Sequence, residues 1–363
     1  MPEKDIGIIC ERLHRVTEIQ RVLVQQLTVL ETMSPMGFLT FRDVLFPASG
    51  FQSVQWRIME NRLGLPASVR LKYGKRDYKT FLKPEDAAKV VLSEEAPSLL
   101  FLVDKWLARA PMVRAFGAPH AKTATSPKAA TSEEEPSTAA ASPASGSTEA
   151  EASDKTHGRF DFWVHYREGL KHMFSEDERH IQSDAAIDEP TKAELLAELG
   201  KQQDHFKQLF DPAAYEELRE RGDRRLSYDA FKAALLIQLH HDAPVLQQPM
   251  RLLSLLVDID ELSALWRQRH AIMVHRMLGA KMGTGGSSGY HYLRSAASRH
   301  KVFTDLFDLS TFLVPKQALP PLPKEVNRGL VFALETGHRD EDTEGPGGAE
   351  TTAVAAAGGG GED

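Results

Sequence analysis

The sequence predicts an all-α fold, and three observations carry that expectation. Apolar residues recur at steps of three and four through most of the chain, no convincing run alternates as strands do, and no repeat of fixed period marks a solenoid or propeller. The apolar residues are unevenly spread over the 363 positions, and two segments hold almost none. The globular part is therefore smaller than the length suggests.

The first helix is read from Ile9, where Leu13, Val16, Ile19, Leu23, Leu27 and Leu30 keep the helical period. It should end near Met33, because Ser34 followed by Pro35 reads as an N-cap with proline in the next first turn. Ser49 and Gly50 punctuate the chain again. Phe51, Val54, Ile58 and Met59 then form an apolar stripe that Gly64 and Pro66 stop. A further helix is expected over residues 90–109. The stretch "KTATSPKAATSEEEPSTAAASPASGSTEAEASDK" has no aromatic and no large aliphatic side chain, so it cannot bury enough surface to offset its ordering entropy. Helical patterning resumes at "FDFWVHYREGLKHMF" and continues over 188–207, 227–240 and 245–282. "EDTEGPGGAETTAVAAAGGGGED" closes the chain as a second segment without a core. The expected organisation is a helical part over 1–116, a disordered insertion over 117–156, a second helical part of the same domain over 157–325 and a mostly disordered tail over 326–363.

Composition excludes several functions. A net charge of −7 argues against a nucleic-acid or anionic-membrane surface, which needs an excess of Lys and Arg. Cys10 is the single cysteine, so one chain cannot build a disulfide framework, a thiolate zinc site or an iron–sulfur cluster. No apolar run reaches the roughly 18 residues of a membrane span and no secretory leader is evident, so a soluble, cytoplasmic protein is expected.

The chemistry-bearing stretch is "DIDELSALWRQRHAIMVHRMLGAKMG". At about 100° per residue, Leu262, Trp266, Met273, Val274, Met277 and Leu278 fall within about 80° of His270, whereas His275 lies about 140° away, on the side of Gln268. One histidine faces the interior and the other a polar surface. The bland reading of His270 is a core histidine with one ring nitrogen on a backbone carbonyl. The sharper one is an axial ligand to haem iron, since a neutral imidazole on an apolar, polarisable wall is what a haem face requires. No C-x-x-C-H is present, so such a haem would be held without covalent links.

Directly behind this helix comes "GTGGSSGYHYLRS". Lys281 precedes the run, where a Walker A loop needs its lysine after the last glycine, and Gly283, Gly285 and Gly289 miss the dinucleotide spacing by one. A plain linker remains, or a mobile loop that closes over a small molecule while Thr284 offers a hydroxyl. Arg57 lies off its own apolar stripe. It is either a solvated surface arginine or a planar fork for a carboxylate.

"WRQRHAIMVHRMLGAKMGTGGSSGYHYLRS" with "VFTDLFDLSTFLVP" closely resembles the tryptophan 2,3-dioxygenase family, as do "VLVQQLTVLETMSPMGFLTFRDVLFPASGFQSVQWRIMEN" and "GDRRLSYDAFKAALL". The resemblance implies an all-helical haem-binding bundle, a homotetramer with non-covalent haem b, that uses O2 to open the indole ring of L-tryptophan to N-formylkynurenine, the first step of the kynurenine pathway. It implies that His270 is the proximal iron ligand, that Arg57 holds the substrate carboxylate, that Thr284 helps hold the ammonium group, and that Phe51 and Trp266 pack the pocket and the haem. It implies no nucleophile and no second cofactor. The family's H-Q-x-x-E-L-W segment, with a histidine on the distal side of the haem, has no counterpart here. His14 does not replace it, so an incomplete N-terminus is expected. The competing reading is a non-catalytic helical haem- or tryptophan-binding protein, or a partial subunit without its distal pocket.

Overall fold

The computed structural model describes residues 3–46, 48, 50–70, 77–109, 161–283 and 289–320, without the side chains of residues 3–5 and Phe51. All of them fall within one unit, Met1–Val331. The two segments expected to be disordered, 117–156 and 326–363, lie outside the described residues, as does Thr284. Among the described residues every regular element is helical, so the all-α class holds.

Helix α1 (Glu3–Leu30) is followed by α2 (Pro35–Phe41), where Ser34 caps as its sequence implied, its Oγ accepting from the Gly37 amide at 3.0 Å. Helix α3 (Val54–Leu63) stops at Gly64, which takes φ 106°; a Cβ there would stand 2.8 Å from both Leu100 Cβ and Ser98 Oγ. The single helix expected over 90–109 is two, α4 (Pro84–Glu95) and α5 (Leu99–Ala108). Pro97 holds Ala96 extended, and Ser98 restarts the helix by accepting from the Phe101 amide.

Beyond residue 160 come α6 (Phe162–Ser183), α7 (Glu189–Lys207), α8 (Pro212–Arg221) and α9 (Tyr228–Leu239). They are followed by α10 (Gln247–Leu278), α11 (Gly289–Arg299) and α12 (Thr304–Asp308). Helix α10 ends before the expected residue 282, because Gly279 turns the chain at φ 56°. Helix α11 takes in the end of the glycine-rich stretch, so Tyr290, His291 and Tyr292 are helical.

The core forms around α9, whose Ala230, Phe231, Leu235, Leu236 and Ile237 are all buried. Aromatic edges close around it: Phe231 and Tyr215 each meet a neighbouring ring, and Phe312 packs against both Phe231 and Phe206 at 5.5 Å. Tyr166 anchors this cluster by donating its hydroxyl to the Phe312 carbonyl at 2.5 Å.

Helix α1 lies parallel to α10. Cys10 meets Gln248 and Glu31 meets Arg269, each pair 238 positions apart, so the register holds along the whole contact. The buried seam of α1 is Ile6, Cys10, Leu13, Thr17, Gln20, Val24 and Leu27, in alternating steps of four and three. This corrects the expected stripe, since Val16 and Ile19 face outward while Thr17 and Gln20 face in. The reason is chemical: Gln20 Nε2 donates to the Ser263 hydroxyl at 2.9 Å and to the Ile259 carbonyl at 3.2 Å, so the buried amide nitrogen finds its partners across the seam.

Candidate functional site

A cavity of about 410 Å³ opens between α10, α11, α3 and the segment around α2. That size is typical of a small-molecule site. Helix α10 contributes Trp266, His270, Met273, Val274 and Leu278, so four of the six side chains gathered by the helical wheel around His270 share its wall, while Leu262 and Met277 do not line the cavity. Tyr292, Leu293 and Ala296 of α11 face it, and Phe38, Leu45, Gly50, Trp56, Arg57 and Glu60 complete it. His275 is exposed, with its ring 4.2 Å from that of Tyr290, on the polar side as the wheel required.

The His270 ring lies 5.0 Å from Trp266, which in turn lies 4.6 Å from Trp56. Its Nδ1 is buried and has no hydrogen-bond partner among the described residues. Other helical histidines behave differently: His165 and His205 each place Nδ1 on a carbonyl one turn back, at 2.8 and 3.0 Å. The bland reading of His270 required such a bond. Burial lowers its pKa, so the ring is neutral at neutral pH. A neutral imidazole with an uncommitted ring, set among Trp, Met and Val at a cavity, has the donor chemistry of a haem axial ligand, and these residues fit that group.

Arg57 is buried, which removes the surface reading. The inward face of α3 is Arg57, Glu60 and Asn61, whereas Val54, Ile58 and Met59 of the expected stripe are only partly covered. Phe51 lies in the short turn Gly50–Gln52 at the cavity's edge; its side chain is outside the described set. Arg57 Nη1 donates to Glu60 Oε2 at 3.0 Å, and the guanidinium sits 5.0 Å from the centre of the Tyr78 ring. Burial works against the Arg57 charge, but Glu60 and Tyr292 outweigh it and raise the pKa.

Glu60 is the junction of the site, and the sequence reading missed it. Oε1 accepts from Trp56 Nε1 at 3.1 Å and from Arg267 Nη2 at 3.2 Å, with His300 Nδ1 at 3.4 Å. Burial pushes the carboxyl up, yet the His300 contact and the charges of Arg57 and Arg267 hold it down at about 2. Arg267 Nη1 also donates to the His300 carbonyl at 2.8 Å, which ties α10 to the end of α11. The available signal was the R-x-x-E spacing of Arg57 and Glu60, which puts two opposite charges on one helical face.

Arg42 was also missed. It follows α2, donates to the Met282 carbonyl beside the cavity-lining Gly283, and keeps a buried Nε without a partner. Its described partner is thus a neutral carbonyl, whereas that of Arg57 is a carboxylate. A larger hollow of about 1110 Å³ lies beside Arg70, Tyr78 and Glu94. Its polar groups are largely paired with one another: Arg70 bonds Tyr78 at 2.8 Å, and Tyr78 and Lys79 each bond Glu94 at 2.6 Å, which leaves the buried Arg70 Nε without a partner among the described residues. The cavity at His270 differs in gathering an uncommitted imidazole nitrogen, His270 Nδ1, together with an uncommitted guanidinium nitrogen, Arg57 Nε.

The family model for tryptophan 2,3-dioxygenase matches residues 2–122 and 123–313. A tryptophan 2,3-dioxygenase of Dictyostelium discoideum is 39% identical over 333 residues, covering 92% of this chain and 73% of the relative. That of Bdellovibrio bacteriovorus is 39% identical, with 91% and 80% covered, and that of Xenopus laevis is 40% identical, with 91% and 71% covered. A match so continuous, crossing every helix that builds the cavity, shows that this chain belongs to the tryptophan 2,3-dioxygenase family.

Proposed function

We propose that the chain catalyses the O2-dependent opening of the indole C2–C3 bond of L-tryptophan to N-formylkynurenine, using a non-covalently held haem b with His270 as axial ligand. The observation that carries this reading is the neutral His270 ring, uncommitted at Nδ1, on the aromatic wall of the cavity in a chain of this family. When bound, haem supplies the activation of O2 at its iron, a chemistry no side chain here provides.

The chain's own residues do the rest. Trp266 and Trp56 stack behind the imidazole, and Met273, Val274 and Leu278 line the cavity with apolar surface that keeps water out. The resemblance assigns the substrate carboxylate to Arg57, the ammonium group to Thr284 and a place in the substrate pocket to Phe51. Arg57 lines the cavity and keeps a buried Nε without a described partner beside its pairing with Glu60, and Arg42, bound to a neutral carbonyl next to Gly283, is a second claimant for the carboxylate. Holding the carboxylate and the ammonium group at the α-carbon places the indole for reaction.

Two helical parts, 1–116 and 157–325, form one catalytic domain in this reading, with 117–156 as an insertion and 326–363 as a tail. Helices from both parts contribute to one buried cluster, which supports it. The working form is a cytoplasmic homotetramer. No helix among the described residues is long and apolar enough to cross a membrane, and outward-facing Ile19, Val22 and Val29 on α1 offer apolar surface for a subunit contact.

Haem titration with tryptophan turnover tests the reading. The wild-type chain should develop a Soret band and make N-formylkynurenine; His270→Ala should shift the band and abolish product. An unchanged spectrum in His270→Ala removes His270 as ligand. Arg57→Ala and Arg42→Ala separate the two claimants, because the carboxylate belongs to the arginine whose loss raises KM while haem content stays intact.

A further inference from the structure

A metal-bound histidine is ordinarily aimed by a hydrogen bond on its other ring nitrogen, which fixes both the tautomer and the orientation of the ring. Among the described residues the buried His270 Nδ1 has no such partner. Its orientation therefore falls to packing. The ring rests on Trp266 at 5.0 Å with planes 45° apart, and Trp266 rests on Trp56 at 4.6 Å with planes 33° apart. Trp56 is in turn held by one directional contact, its indole N–H donating to Glu60 Oε1 at 3.1 Å. The same oxygen accepts from Arg267, the residue after Trp266, at 3.2 Å, and the Arg267 guanidinium lies 5.5 Å from the centre of the Trp56 ring.

We propose that Glu60 is the positioning residue for the iron-binding imidazole: it fixes Trp56 and Arg267 on either side of Trp266 and so aims His270 through a stack of rings. The carboxylate never touches the histidine. It pins the outer ring of the stack by a charge-assisted bond to the indole N–H, and it pins the backbone turn of α10 that carries the inner ring through Arg267. Rings held at offset, tilted contact resist rotation because turning one forces its neighbour off its own contact. Glu60 is suited to this task because its other oxygen is occupied by Arg57, which leaves the carboxylate no second orientation to adopt.

This inference rests on His270 as the haem ligand, and the experiment distinguishes failure of one from failure of the other. Resonance Raman spectra of the ferrous haem complex read the iron–histidine stretching band, which responds to the aim and hydrogen bonding of the imidazole and not to overall stability. Trp56→Phe keeps a ring against Trp266 but removes the N–H that Glu60 holds; Glu60→Gln weakens the hold from the other side. Both should displace and broaden the band and release haem roughly ten-fold faster. Asn61→Ala serves as control: it removes a buried amide that bonds the Val90 carbonyl and Ser93, and should lower stability while leaving the band in place. A wild-type band in Trp56→Phe overturns the proposal even if Glu60→Gln does not fold. An equal displacement in Asn61→Ala overturns it as well, since general loosening would then explain the change. A band that persists in His270→Ala instead removes the ligand assignment beneath it.

Discussion

Helix α9 and helix α3 both turn a buried face to the interior, and the two faces have opposite chemistry. Helix α9 buries Phe231, Leu235, Leu236 and Ile237 among aromatic edges, where each large side chain withdrawn from water stabilises the fold by about 2 kcal/mol. Helix α3 buries Arg57, Glu60 and Asn61, exposed by only 6%, 2% and 7%. Charges withdrawn from water cost several kcal/mol each, and mutual pairing restores that cost without much surplus. One region holds the protein together; the other spends a buried face on holding a cavity wall in a fixed arrangement.

The largest effect should come from the apolar side. Phe231→Ala removes a fully buried ring from the centre of α9's contacts and should cost about 4 kcal/mol, read as a lowered urea midpoint. A loss below about 1 kcal/mol would mean that this core is not where stability resides. On the polar side, Glu60 sits at about 2 against an ordinary 4.5. Because the folded value lies below the unfolded one, the ionised carboxylate adds stability above about pH 4.5, and that contribution drains away as pH falls toward 2. The linkage is worth roughly 3 kcal/mol in full, of which about 2 kcal/mol is lost by about pH 3, so unfolding free energies from urea melts at about pH 6 and about pH 3 should differ by about 2 kcal/mol more in wild type than in Glu60→Gln. Equal differences in the two proteins would show that the cluster carries no such coupling.

Gly64→Ala probes the boundary of α3 and should cost about 2 kcal/mol, because φ 106° is unfavourable for a side chain and the new Cβ meets Leu100 and Ser98 at 2.8 Å. Thermal melting that is unchanged would show that α4 and α5 yield to admit it. The smallest effect is Tyr166→Phe, which keeps the ring but strands the Phe312 carbonyl, for about 1 kcal/mol. A neutral result there would assign the anchoring of that cluster to ring packing alone.

The apolar region was the legible one. Period and caps located most helices, Ser34 and Gly64 behaved as their chemistry dictates, and the angular position of His270 relative to Trp266, Met273 and Val274 follows from helix geometry alone. The errors lie where a polar residue goes inward. A wheel that counts apolar side chains places Arg57 outside and Val16 at the seam, since it has no means of knowing that Glu60 or Ser263 waits on the other side to match an inward polar group. Helix α8 was missed although Asp211, Pro212 and Gly222 spell its two ends, because its face holds a single buried side chain, Tyr215. Glu60 itself has partners more than two hundred positions away in Arg267 and His300, a pairing no local pattern contains.

Gln20, inside the seam between α1 and α10, has one further consequence. Its amide reaches across the contact to Ser263 and Ile259, whereas Thr17, the other buried polar side chain of the seam, bonds the His14 carbonyl of its own helix. A slide of α1 by one heptad in either direction would bring Leu13 or Leu27 to that place and take the Gln20 amide away from the Ser263 hydroxyl. Helix α1 thus works as a ruler laid along α10: one notch sets how far down the long helix every other position falls, and the height of His270 in its chamber is measured from a glutamine that never comes near it.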